Sequence, residues 1–226
     1  MYVFHHGRTV PAYLTIGQGE MLLPFFRAAA FCISITHGEK MIAAEGHKPD
    51  INELTELAKE AGFTFAAPLA MGSLEFREEV REMCSSDRCR SFGKSWSCPP
   101  AAGDLAVIRK RAERFRSGIV VQTCGDIQSS FDTAAMHAIM KAHKKNFDTL
   151  VRQIRFFYPE CLPMGTGACD ACRTCTYPDR PCRHPERMYI SMEAYGLLVS
   201  DVAESSGLHY NYGDNKMTFT SCILTD

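Results

Sequence analysis

A cysteine-rich segment in the C-terminal third of the chain limits the possible folds more than any other feature of the sequence. Residues 159–187 are dense in Cys, Pro, Gly and Arg and show no hydrophobic period. We expect that such a segment cannot pack a core of its own, so something other than side-chain burial must offset the entropy lost when it is ordered. Four of its cysteines form the pattern C-x2-C-x2-C-x6-C, namely Cys169, Cys172, Cys175 and Cys182. This spacing predicts a loop that is ordered by a metal group.

The spacing of these cysteines favours an iron–sulfur cluster over a single metal ion. Three thiolates at intervals of three residues can reach three corners of one compact [4Fe–4S] cube, and bacterial ferredoxins use C-x2-C-x2-C for this purpose. Zinc is the alternative, because His184 follows Cys182 closely and offers a nitrogen ligand. Structural zinc sites, however, usually combine two C-x2-C pairs separated by a longer stretch. The segment is therefore predicted to hold a [4Fe–4S] cluster, with zinc as the competing interpretation.

A second group of three cysteines shares the shorter segment MCSSDRCRSFGKSWSCPP, and its members are Cys84, Cys89 and Cys98. A proline follows the last of them, as it does after cluster ligands in ferredoxins, so we predict a second [4Fe–4S] site. Three cysteines are one ligand short of a complete set. Either another cysteine completes the site, or one iron stays open to a small molecule or to a partner's ligand. The other candidates are Cys124, Cys161 and Cys222. Burial as a small apolar side chain is the favoured interpretation for Cys124 and Cys222.

The number and balance of residues exclude several classes of protein. The 226 residues include 11 cysteines. Because this number is odd and the chain is too long to need covalent staples, a disulfide framework is not expected. With 46% hydrophobic and 23% charged residues, the composition is that of a globular protein. The net charge of −1 argues against nucleic acid or an anionic membrane as the main partner.

The first forty residues differ from the rest of the chain. Residues 21–36 are the longest apolar stretch, but a proline and an arginine interrupt it, and it is too short to span a bilayer. A signal peptide would carry a basic region ahead of this stretch, and the sequence is a poor match to that pattern. Helix signals become clear only after Met41. We therefore predict a leader at 1–40, a single cysteine-rich metal-binding domain at 41–226, no membrane insertion and a cytoplasmic location.

The remaining sequence predicts an α+β fold. Asp50 and Glu53 form a capping box before one helix, and Asp132 begins a long helix that runs to about Phe157. Residues 118–124 are typical of a buried, β-branched strand. We expect a small mixed sheet, four to five helices and two cysteine-rich metal-binding loops.

Three further elements are predicted from capping and turn residues. Asp104 begins a helix that Gly118 ends. A helix is expected over 191–205, with Glu193 near its start, where a carboxylate suits the helix dipole. Residues 208–224 are predicted to form a β-hairpin that turns at Asp-Asn.

Three motifs together resemble a known family. They are MC-x4-C-x3-GK-x-W-x-CPP at 83–100, GACDACRTCTYPDRPCRHPE at 167–186 and SMEAYGL at 191–197. From about Leu69 to its C-terminus, the chain resembles the predicted metal-binding proteins with domain of unknown function 2284. The resemblance implies a cytoplasmic iron–sulfur protein of anaerobic bacteria and archaea, but it implies no reaction. It assigns one site to Cys84, Cys89 and Cys98 and the other to Cys169, Cys172, Cys175 and Cys182.

The leading hypothesis is an iron–sulfur protein that binds two [4Fe–4S] clusters and transfers electrons to or from an unidentified redox protein partner. The first alternative is an enzyme or reductive activator with an open iron at Cys84, Cys89 and Cys98. The second alternative is a zinc-binding adaptor without redox chemistry. No phosphate-binding glycine loop is present and no catalytic residue is predicted, and an electron carrier or accessory redox protein is favoured over a stand-alone catalyst.

Overall fold

The structure, a computed structural model, describes residues 47–226. The predicted leader at 1–40 and the start of the predicted domain at 41–226 lie outside the described residues. The helices of the described part are α1 (Ile51–Glu60), α2 (Glu78–Glu82), α3 (Leu105–Ala112), α4 (Thr133–Phe157) and α5 (Val199–Ser205). Its strands are β1 (Phe65–Pro68), β2 (Ser117–Asp126), β3 (Leu162–Gly165), β4 (Ile190–Ser191) and β5 (Lys216–Thr225). These elements confirm the predicted α+β fold with a mixed sheet.

The five strands form one sheet in the order β1-β2-β5-β3-β4. The pairs β1–β2, β2–β5 and β5–β3 are antiparallel, and β3–β4 is parallel. The ten residues of β2 pair with the ten residues of β5 along their whole length. This long central pair forms the frame of the sheet, and the short strands β3 and β4 extend it on one side.

Both faces of the sheet are covered, as the alternation of side chains along β2 demonstrates. Ile119 and Val121 are fully buried in a core that includes residues of α1 and α4. Val120 is fully buried in a second core, which includes residues of α3 and α5. Neighbouring residues of a strand face opposite sides of the sheet, so the two cores lie on opposite faces. Within residues 47–226, no helix has the length and apolar character needed to cross a membrane.

Several local predictions are confirmed. The side chain of Asp50 accepts hydrogen bonds from the backbone of Asn52 and Glu53, and Glu53 completes the capping box before α1. Asp132 caps α4, which extends to Phe157 as expected. Each of these signals acts within one helical turn, which is why the local sequence is enough to predict it.

The end predicted for α3 is wrong. Asp104 does cap this helix, but the helix ends at Ala112 and Gly118 lies within β2. A Cβ atom at Gly118 would lie 2.7 Å from the backbone oxygen of Ile223 on β5. The glycine therefore permits the close approach of two strands and does not end a helix.

The segment 159–187 contributes one buried strand, β3, to the core of the domain. Two predictions for the C-terminal part are wrong. The helix predicted over 191–205 begins only at Val199 and is preceded by β4 and a turn in which Gly196 has a φ of +78°. The hairpin predicted over 208–224 is absent from the described structure, since β5 pairs with β2 on one side and β3 on the other.

Candidate metal centre

The two cysteine segments are connections between regular elements. The first runs from α2 to α3 and begins with a short 3-10 helix at Met83–Ser86 that contains Cys84. The second connects the parallel strands β3 and β4. Parallel neighbours need a crossover connection, which is usually a helix. Here the crossover consists of the cysteine segment with one 3-10 turn, Pro185–Arg187, so the four cysteines of this segment lie beside the short-strand edge of the sheet.

The two cysteine segments pack against each other. The backbone N–H of Cys169 donates a hydrogen bond of 3.2 Å to the hydroxyl of Ser97. The indole N–H of Trp96 donates a hydrogen bond of 3.1 Å to the carbonyl oxygen of Arg180. The ring of Trp96 also meets the ring of Tyr177 edge-on, with 4.9 Å between the centroids. Some seventy residues separate the two segments along the chain. These contacts join them into one structural unit.

The first segment is held in shape by Asp87, which has a left-handed φ of 48°. Its carboxylate accepts hydrogen bonds from the backbone N–H of Phe92 at 2.9 Å and from Nζ of Lys94 at 2.8 Å. The bond from Lys94, followed by that from Phe92, lowers the pKa of Asp87 below its ordinary value. The backbone N–H of Gly93 also bonds to the carbonyl oxygen of Pro99 at 2.9 Å. The chain between Cys89 and Cys98 is therefore closed by hydrogen bonds of its own.

The sulfur of Cys175 lies among hydrogen-bond donors from both segments. Partial burial raises the pKa of this thiol, but hydrogen bonds outweigh the burial and the resulting pKa is lower than the ordinary value. The donors are the backbone N–H groups of Trp96, Tyr177 and Thr176 and the side chain of Ser95. Because the thiolate is the form that binds metals, this arrangement prepares Cys175 to be a ligand.

The remaining candidate thiols differ in burial and in their neighbours. Burial raises the pKa of Cys84, and the charges of Glu193, Cys89 and Cys98 raise it further. Burial also raises the pKa of Cys98, on which the charges of Cys89 and Cys169 act as well. Cys98 follows Ser97, which accepts the hydrogen bond from the backbone of Cys169, so the structure places Cys98 beside the second segment.

In the second segment, two residues of the same segment affect the pKa of Cys169. Burial raises the pKa of Cys169, whereas a hydrogen bond from the backbone of Ala171 lowers it, and the charge of Cys182 acts on the same thiol. Cys172 and Cys182 are half-buried. All ten cysteines in the described part of the chain are free thiols. Within residues 47–226, no three His, Cys, Asp or Glu side chains converge closely enough to hold a single metal ion.

The three cysteines considered as a missing ligand have other surroundings. Cys222 lies in the middle of β5 and is fully buried, and burial raises the pKa of its thiol to about 12. Cys161 is buried in the core that includes α1 and α4. Cys124 is half-buried on β2, opposite Thr218 of β5. The interpretation of Cys222 as a small apolar core residue is confirmed.

The position of the Glu193 carboxylate differs from the one that the sequence predicts. Glu193 was placed near the start of a helix, but it lies in the turn between β4 and α5. Its Oε2 atom is buried and accepts no hydrogen bond from residues 47–226, and its charge contributes to the raised pKa of Cys84. The only signal in the sequence was the position of Glu193 in the motif SMEAYGL, which follows the second cysteine segment.

One of the comparisons with known proteins identifies a family whose match includes this centre. A family model described as a predicted metal-binding protein with domain of unknown function 2284 matches residues 67–225. This range covers more than half of the chain and includes all seven cysteines of the two segments. Neither the comparison with curated proteins nor that with solved structures found a match. The chain therefore belongs to the family of predicted metal-binding proteins with domain of unknown function 2284.

Proposed function

We propose that the protein is a cytoplasmic iron–sulfur protein that binds two [4Fe–4S] clusters and exchanges single electrons with a redox protein partner. The observation that carries the proposal is the direct packing of the two cysteine segments, which are joined by the hydrogen bonds from Cys169 to Ser97 and from Trp96 to Arg180. Beside this contact, hydrogen bonding lowers the pKa of the Cys175 thiol. Hydrogen bonds to ligand sulfurs stabilise the negative charge of a cluster and help to set its reduction potential. A single zinc ion with saturated thiolate ligands has no redox chemistry for such bonds to tune.

The donor set fits two clusters that lie side by side. Cys169, Cys172, Cys175 and Cys182 supply a complete set of thiolates for one cluster. Cys84, Cys89 and Cys98 supply three ligands for the other. The ligands of a cube bind four different irons, so they need not converge on one point as the ligands of a single ion must. When bound, such clusters supply one-electron chemistry.

The side chains around the two sites suggest where a partner approaches. Cys98 is 7% exposed and lies next to Ser97, which is also buried. Cys89, by contrast, is exposed. Trp96 and Tyr177 pack together over the contact between the segments and help to exclude water from it. We therefore place the docking side of the partner at Cys89.

The first test of the proposal is the metal content of the protein purified without oxygen. Two clusters predict about eight irons and about eight acid-labile sulfides per chain, with visible absorbance that bleaches on addition of dithionite. Zinc in stoichiometric amounts without sulfide would overturn the proposal. The protein would then be a binding module whose fold is stabilised by zinc.

A pair of matched variants tests the assignment of the second segment. Cys172→Ser removes a half-buried thiol of the segment and is expected to lower the iron content by about four per chain. Cys222→Ser changes a fully buried thiol in β5 and is expected to leave iron and sulfide unchanged in the folded protein. If Cys172→Ser retains all the iron and sulfide of the wild type, the assignment of this segment is wrong.

A further inference from the structure

Two serines lie at the contact between the two cysteine segments, directly before Cys98, which is a predicted ligand of the first group. Ser95 is 7% exposed and Ser97 is 2% exposed, although serine is mostly found at the surface of proteins. Buried hydroxyl groups are hydrogen-bonded in native structures. The partners of these two serines therefore indicate why they are buried here.

The hydroxyl of Ser97 contacts a predicted ligand of each cysteine group. Its Oγ atom lies 3.8 Å from the Sγ atom of Cys98, a separation at which a hydroxyl can still hydrogen-bond to the larger sulfur atom. The same Oγ atom accepts the hydrogen bond of 3.2 Å from the backbone N–H of Cys169. One oxygen atom thus joins a sulfur of the first group to the backbone of a cysteine in the second.

The direction of each bond follows from the donors and acceptors that are present. A serine hydroxyl donates one proton and can accept two hydrogen bonds. The hydroxyl oxygens of Ser95 and Ser97 are 3.1 Å apart, and either hydroxyl can be the donor. A metal-bound Cys98 is a thiolate, which has no proton and can only accept. With metal bound, Ser97 therefore accepts from Ser95 and from Cys169 and donates its proton to Cys98.

The backbone and the burial of this stretch hold the arrangement in place. The N–H of Cys98 donates to the carbonyl oxygen of Ser95 at 3.2 Å, and the N–H of Ser97 donates to the Oγ atom of Ser95 at 3.3 Å. Cys98 is itself 7% exposed, and a hydrogen bond is electrostatically stronger in such surroundings than in water. Burial raises the pKa of the Cys98 thiol, and the bond from Ser97 opposes this rise.

We infer that Ser97 is a positioning residue for both metal groups, because its hydroxyl donates to a ligand sulfur of one group and accepts from the backbone of a ligand of the other. The inference rests on the proposed iron–sulfur function. The first cluster, proposed at Cys84, Cys89 and Cys98, carries more negative charge when it is reduced. A donor to its ligand sulfur stabilises that charge, so Ser97 raises the reduction potential of the first cluster.

The test compares Ser97→Ala, Ser97→Thr and Ser86→Ala in the full chain, purified without oxygen. Ser86 is exposed in the same segment, and its hydroxyl donates to the carbonyl oxygen of Met83, so Ser86→Ala is the matched control. Potentials are measured by redox titration followed by electron paramagnetic resonance, and Cys84→Ser identifies the signal of the first cluster. Ser97→Ala is expected to shift the potential of this cluster to a more negative value. Ser97→Thr, which keeps a hydroxyl, is expected to restore it, and Ser86→Ala is expected to leave it unchanged.

A second measurement uses the wild type and does not depend on the folding of a variant. Because the amide of Cys169 donates to Ser97, it is expected to exchange its hydrogen for deuterium about tenfold more slowly than an unprotected amide. Exchange at the unprotected rate would overturn the role of Ser97 and leave the proposed function intact. An unchanged potential of the first cluster in folded Ser97→Ala would do the same. Wild-type protein without iron and sulfide would overturn the proposed function and this inference together.

Discussion

Lowering the pH from about 7.5 to about 5 is expected to destabilise the folded protein by about 2 kcal/mol through a single side chain, His143. This histidine lies in α4 and is fully buried. Its Nδ1 is 3.0 Å from the hydroxyl of Thr123 on β2, and its Nε2 is 2.8 Å from the hydroxyl of Ser221 on β5. Burial, with a smaller contribution from the charge of Lys144, lowers the pKa of His143 from 6.5 to about 3.

The sign and size of the effect follow from the two pKa values. Between pH 6.5 and about 3, the unfolded chain binds a proton at His143 and the folded protein does not, so the free energy of unfolding falls as the pH falls. The loss approaches about 1.4 kcal/mol per pH unit once the pH is well below 6.5. Over the interval from about pH 7.5 to about pH 5 it sums to about 2 kcal/mol. The contribution is fully present above pH 6.5.

The assay is urea unfolding followed by far-ultraviolet circular dichroism at both pH values, for wild type and for His143→Gln at matched metal content. Glutamine can donate and accept hydrogen bonds but does not titrate in this range. Other titrating groups and the metal centre affect both proteins alike, so the difference between the two pH-induced losses isolates His143. We expect the variant to lose about 2 kcal/mol less than the wild type. Equal losses would refute the assignment of a neutral, buried His143.

Three further predictions concern stability and are checked by thermal or urea unfolding, the first two against a control variant. Gly196→Ala places a Cβ atom 2.6 Å from a backbone oxygen at a φ of +78° and is expected to destabilise the folded protein by about 1–3 kcal/mol. The control is Gly72→Ala, whose Cβ atom meets no atom within 4 Å and should be tolerated. Equal effects of the two substitutions would contradict the account of the turn. Leu150→Ala, in the fully buried face of α4, is expected to lose about 2–5 kcal/mol, and Val107→Ala, at a position 68% exposed, about 0.5 kcal/mol or less. Trp96→Phe removes the indole hydrogen bond between the two cysteine segments and is expected to lose about 1 kcal/mol; no loss would mean that this bond does not hold the segments together.

Local sequence was sufficient to predict the helices whose signals lie within a few residues. The capping box at Asp50 and Glu53 and the cap of α4 at Asp132 act through backbone N–H groups in the first helical turn, so the neighbouring residues alone determine them. The buried strand β2 was predicted because its run of β-branched residues is typical of a strand covered on both faces. The α+β class followed from these elements, without knowledge of how they pair.

The pairing of the C-terminal strand could not be predicted, since it depends on residues far away in the sequence. The turn residues before Lys216 favoured a hairpin with the segment just upstream. In the structure β5 pairs with β2 along its whole length and with β3 at Cys222–Leu224, and residues 208–215 form no strand. Likewise the four residues of β3 lack a visible period because they are buried on both faces, and a run of this length is ambiguous without its neighbours.

For the candidate centre, the sequence by itself predicted which thiols belong together along the chain, and the spacing of these thiols is typical of a metal group. The intervals between Cys169, Cys172 and Cys175 are a property of the covalent chain, and the chain alone limits how those thiols can be arranged. Only the tertiary structure decided that Ser97 and Trp96 bind the second segment. It also decided that backbone hydrogen bonds join the turn bearing Glu193 to Gly165 and to Arg77. Such contacts form when the sheet brings distant segments together and burial compensates for the entropy of closing long loops, a condition that no short stretch of sequence contains.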